Sequence, residues 1–172
     1  MTEQDFFDVD EKTLELFNEI KTEHFMDLRD AEFQVIFRTK RKGNDDNLVV
    51  AEICKLNNIA KFLSTQIPEV DDCLNYIIVI DKNVWNCLED EDKFRVLFHE
   101  LCHCDVQFKD DGTINYGLRD YTIKSFFEAV SMEQREGGDP KWKDRVSMVG
   151  VSIYDEIKER EKAEKKKNKT KK

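Results

Sequence analysis

Two histidines bracket a glutamate in Phe98-His99-Glu100-Leu101-Cys102-His103, and this spacing commits that part of the chain to an α-helix. Residues four apart stand one above the other on one helical face, where two imidazoles can grip a single ion. The pattern supplies two zinc ligands, His99 and His103, with Glu100 placed as general base toward a metal-activated water. A helix is independently indicated, because Phe94, Leu97, Phe98 and Leu101 fall at i, i+3, i+4 and i+7, one core-facing stripe. Acidic residues 89–92 suit the positive end of the helix dipole, so the helix is expected to run from about Asp90 to about Cys104. Only three histidines occur in the 172 residues, and two of them sit at ligand spacing around a carboxylate, which argues against chance.

Around this helix the apolar pattern alternates between two periods. Leu14, Phe17, Ile20, Phe25 and Leu28 predict a first helix over residues 10–29, with a break near His24. Phe33, Val35 and Phe37 alternate with polar neighbours, the period of a half-buried strand. Residues 40–47, containing Gly43, form a turn into a second strand over 48–55, which makes an antiparallel pair with the first the expected arrangement. The nearly continuous apolar run Tyr76-Ile77-Ile78-Val79-Ile80 predicts a third, central strand. Residues 106–108 and 114–116 flank a turn at 109–112, a small hairpin or loop. Residues 121–135 resume helical spacing until Gly137, Gly138 and Pro140, and a last helix is expected over 141–163. The result is an α+β architecture, a small antiparallel or mixed sheet of three to four strands packed with helices, the motif on a central helix. One domain over residues 10–157 is expected, with a flexible start at 1–9 and a basic, disordered tail at 158–172.

Charge and cysteine content narrow the class. The tail holds nine Lys or Arg against three Glu, a net of +6, so the overall charge of −9 leaves a body of −15. Such a body does not suit a general nucleic-acid binder, although the tail offers a contact to a polyanion. No apolar run approaches the length of a membrane span, and the acidic first residues lack the pattern of a secretory signal. Five cysteines without clustering point to a reducing cytoplasmic setting. Cys102 and Cys104 flank His103, but each projects about 100° around a helix from it, so neither shares its face.

On the motif helix, the strand at 33–38, the Asn75–Asp81 strand with Trp85, and the Asp110-Asp111-Gly112 turn, the chain resembles the putative phage metallopeptidase family. That family is itself similar to the Spartan-like minimal zincins. The resemblance implies a minimal zincin-like fold, a zinc-dependent peptidase acting on protein or peptide, and an origin in phages or mobile elements with action in the host cytosol. One departure bears on the site. The family pattern has a histidine–aspartate pair five residues before a phenylalanine of the downstream helix, and here Tyr121 and Thr122 stand there. A catalytic zinc takes three protein ligands and a water. The third ligand is therefore open among Asp120, Tyr121 and Glu128, with Asp120 favoured and Tyr121 then an oxyanion donor. His24 is left outside the metal shell. A catalytically impaired binding protein of the same fold is the alternative.

Overall fold

The structure, a computed structural model, describes residues 5–44, 47–66 and 73–120 together with positions 153, 156–160, 162 and 163. Its centre is a four-stranded mixed sheet in which β1 (Phe6–Asp8), β2 (Phe33–Arg38), β6 (Tyr76–Asp81) and β5 (Ala51–Lys55) lie side by side in that order. β1 is antiparallel to β2, β2 parallel to β6, and β5 antiparallel to β6. The antiparallel pair expected between 33–38 and 48–55 does not form, because β6 inserts between them and bonds to both. A short separate ribbon forms instead, in which β3 (Gly43–Asn44) pairs antiparallel with β4 (Asn47–Leu48). Gly43 turns there at φ 101°, a conformation open to glycine at little cost.

β6 owes its central place to composition. Tyr76, Ile78 and Ile80 are fully buried on one face, and Ile77 and Val79 are half-buried on the other, so a partner strand on each edge shields an apolar ribbon. Val35 and Phe37 of β2 continue the buried face.

Helix α1 (Glu11–His24) starts at Asp10, whose carboxylate accepts from the Thr13 amide at 2.8 Å. It ends at the break expected near His24, and a short 3-10 turn, Met26–Leu28, follows. Phe17 and Ile20 carry the helix onto the sheet. α2 (Asn58–Ser64) is capped by Asn57, and α3 (Lys82–Trp85) by the buried Asp81, which accepts from the amides of Asn83 and Val84. Trp85 donates from Nε1 to Thr13 Oγ1 at 3.0 Å in the interior, fastening α3 to α1.

α4 (Asp90–Cys102) carries the motif and packs against α1 and β5. It begins where the acidic run predicts but stops at Cys102, with His103 as its C-cap; Cys104 already opens a strand. Its buried side chains Leu97, Phe98, Leu101 and Cys102 join the core. Asp92 and Arg95, also buried, pair at 3.3 Å within the first turns. The expected hairpin forms as β7 (Cys104–Phe108) and β8 (Ile114–Leu118), with Gly112 at φ 81° in its turn. Tyr76 binds this hairpin to the sheet, its hydroxyl donating to Gly117 O at 2.8 Å, with Asp105 O at 3.3 Å. Helical positions at 153, 156–160, 162 and 163 fall in the last helix expected from sequence; the helix expected at 121–135 lies outside the described residues.

Candidate metal centre

His99 and Glu100 lie in the last turn of α4, 8% and 7% exposed, which removes most solvent from two polar groups that a core helix would otherwise exclude. His103 follows at the cap, half-buried. The two imidazoles stand edge to face with centroids 5.3 Å apart. A zinc–nitrogen bond of about 2.1 Å and roughly 1.1 Å from nitrogen to ring centre put each centroid about 3.2 Å from an ion. Tetrahedral ligation then separates two centroids by about 5.2 Å, which the observed spacing matches.

The His103 ring is held by a backbone contact. Its Nδ1 lies 3.0 Å from the carbonyl oxygen of Arg119, sixteen residues away. A carbonyl only accepts, so Nδ1 donates here, which in the neutral ring leaves the lone pair on Nε2, the form a metal ligand needs. Arg119 fixes this end of α4 twice more. Its amide donates to His103 O at 2.8 Å and its Nε to Cys102 O at 2.8 Å. The cation thus sits at the negative end of the helix and satisfies a terminal carbonyl.

These contacts leave a cleft of about 410 Å³ between the end of α4, the exit of β8 and the edge strand β5. Ala51, Glu52, Ile53, Glu100, His103, Leu118, Arg119 and Asp120 line it. Glu52 is held from behind: the buried Arg38 donates from Nη1 to one oxygen at 2.6 Å, and Lys42 bonds the other. Arg38 also donates to Val49 O. Neighbouring Cys54 has its thiol pKa raised by burial and then by the charge of Glu52.

The residues singled out from sequence are distributed as follows. Glu100, His103 and Asp120 share the cleft, and His99 stands one turn back on α4. Tyr121 and Glu128 lie outside the described residues. Among the described residues no three His, Cys, Asp or Glu side chains form a group able to hold a metal ion, so Asp120 stands on the wall of the cleft and completes no such cluster. His24 faces the other way, its ring against Phe94 and Phe98 at 5.7 and 5.5 Å. Cys102 and Cys104 are buried, and burial raises the Cys104 thiol above its usual range. Arg119, Glu52 and Arg38 were not legible as site residues. An isolated arginine at a strand exit carries no spacing signal, and the closest clue was that Arg119 precedes Asp120.

A family comparison matches the model of a putative phage metallopeptidase over residues 5–149, a span that includes every described sheet strand and the whole cleft. The chain belongs to this family. Comparisons with curated proteins and with solved structures found no match. Membership in the phage metallopeptidase family implies a metal cofactor and a protein or peptide substrate. Among the described residues no helix is long and apolar enough to cross a membrane.

Proposed function

We propose that this family member is a zinc-dependent peptidase with Glu100 as its general base. The observation that carries the reading is the perpendicular His99–His103 pair at 5.3 Å, with His103 Nδ1 held on Arg119 O. His99 and His103 would hold the ion, and Asp120 would have to move in from the cleft wall to serve as third ligand. Bound there, zinc would lower the pKa of a water to about 7 and polarise the scissile carbonyl.

The remaining steps fall to the chain itself. Glu100, on the cleft wall, takes a proton from the attacking water and delivers it to the departing amine. Among the described residues β5 ends the sheet, so its outer edge would offer main-chain donors and acceptors to an extended peptide lying across the cleft, in the manner of an added strand. Tyr121, directly after Asp120, is assigned the donor to the developing oxyanion. The host cytosol is the setting this reading assigns, with residues 158–172 available to a polyanion.

The test combines metal analysis with peptide cleavage. Wild type is expected to hold stoichiometric zinc and cleave, Glu100→Gln to hold zinc without cleaving, and His99→Ala to do neither. A wild-type protein that takes up no zinc would overturn the proposal. A second reading, an inactive binding protein of the same fold, is favoured by Tyr121 and Thr122 standing where the family has its histidine–aspartate pair. Full zinc loading with no cleavage of any peptide would establish it.

A further inference from the structure

We infer that Arg38 is a positioning residue for the substrate, one that sets where the β5 wall of the cleft stands without itself meeting the peptide. The inference rests on the peptidase reading above, in which an extended peptide lies along β5. Ala51, Glu52 and Ile53 of that strand line the cleft, and Arg38 is not among the lining residues. Among the described residues β5 has one ladder partner, β6, so its place is fixed by main-chain bonds on one side alone.

Arg38 adds a hold from two strands away. Ile36, Val79 and Glu52 stand in one row across β2, β6 and β5. Side chains two apart on a strand share a face, so Arg38 lies on the face of Glu52, turned away from the buried Tyr76, Ile78 and Ile80. Neighbouring strands stand about 4.8 Å apart, and the side chain therefore crosses about 10 Å of sheet. There Nη1 donates to Glu52 Oε1 at 2.6 Å and Nη2 to Val49 O, on either side of Ala51. Lys42 holds the other oxygen of Glu52.

Stability alone does not account for this arrangement. Arg38 is 5% exposed, and among the described residues its Nε has no hydrogen-bond partner. A buried charge left one donor short is costly, and an apolar side chain of similar volume would fill the space at least as well. An apolar side chain would not, however, fix two separate points of an edge strand in direction and distance, as a planar guanidinium with divergent donors does.

Peptide binding to the inactive protein tests this. Glu100→Gln protein equilibrated with zinc, alone and combined with Arg38→Met, would be titrated calorimetrically with an acetylated alanine-rich pentapeptide amide carrying a central phenylalanine. Zinc affinity would be measured beside it. Ile20→Val, a change in the core that lines no part of the cleft, controls for lost stability. Arg38→Met should weaken the peptide about tenfold and leave zinc affinity within about twofold, while Ile20→Val should change neither. Arg38→Lys, which keeps the charge without the paired donors, should weaken the peptide at least about threefold and serves if the methionine variant does not fold. With Glu100 intact, the Arg38 variants should raise KM and leave kcat nearly constant. Unchanged peptide affinity, an equal loss in Ile20→Val, or a peptide that does not bind the Glu100→Gln protein at all overturns the inference. Wild-type cleavage with a KM indifferent to Arg38 sinks this inference alone, whereas Arg38-dependent binding with no wild-type cleavage of any peptide sinks the peptidase reading alone.

Discussion

The body of α4 and its C-terminal end hold the two motif histidines by different means. His99 and Glu100 are fixed locally: Leu97, Phe98, Leu101 and Cys102 pack the same helix into the core, and His99 has no choice but to follow. His103 lies just beyond the helix, and its orientation depends on Arg119, delivered by a hairpin that is itself pinned by Tyr76. One histidine is therefore specified by residues within a turn of it, the other by a contact sixteen residues distant. The difference teaches that a pair spaced for a helix can still need a second structural unit to make its second half usable.

Changes at the chemistry should matter most and should be blind to this difference. Glu100→Gln is expected to reduce kcat/KM by about 10²–10⁴-fold with zinc content unchanged, as read by metal analysis beside a peptide assay. Retained activity would remove Glu100 from its role. Tyr121→Phe should lower kcat by about 10²-fold with KM nearly constant; a change confined to KM would move Tyr121 from oxyanion donor to substrate contact.

Changes in the two supports should separate them. Leu101→Ala empties a fully buried site in the body of α4 and is expected to cost about 2–5 kcal/mol in denaturant unfolding. Tyr76→Phe loosens the hairpin instead. It should cost about 1–2 kcal/mol, because the Gly117 carbonyl loses its donor. Zinc affinity should nevertheless fall about tenfold, since Arg119 and the His103 ring it orients hang on that hairpin. If Tyr76→Phe leaves zinc affinity untouched, the end of α4 is as self-sufficient as its body.

The smallest effect is one of pH. Burial raises the Tyr76 phenol above its ordinary value, so the folded state favours the neutral form. The associated stability is complete below a pH of about 10, where the unfolded phenol is still protonated, and declines as pH rises beyond it. Unfolding midpoints measured across that range should drop more steeply for wild type than for Tyr76→Phe, and parallel curves would show that Tyr76 is not the group responsible.

What the sequence revealed follows the same division. The stripe Phe94, Leu97, Phe98, Leu101 located α4, and the run Tyr76–Ile80 located the central strand, because in both cases burial imposes a local period. The hairpin at 104–118 was legible from its turn residues, and the break at His24 from the spacing of apolar positions. The order of strands was not. A short turn before residues 48–55 favours pairing with 33–38, and nothing local announces that Tyr76–Asp81 will displace that partner by bonding to both strands. The hold of Arg119 on His103 was equally silent, since its amide and carbonyl, which nearly every residue possesses, make the contacts.

The place of β6 between β2 and β5 governs the order in which a chain leaving the ribosome becomes safe from wrong partners. Until residue 81 has emerged β5 has no sheet neighbour and β2 has only β1, and until then Val35 and Phe37 expose apolar surface that other chains or chaperones can capture. α3 and α4 follow at once in the chain, so the two motif histidines come directly after the strand that completes the sheet.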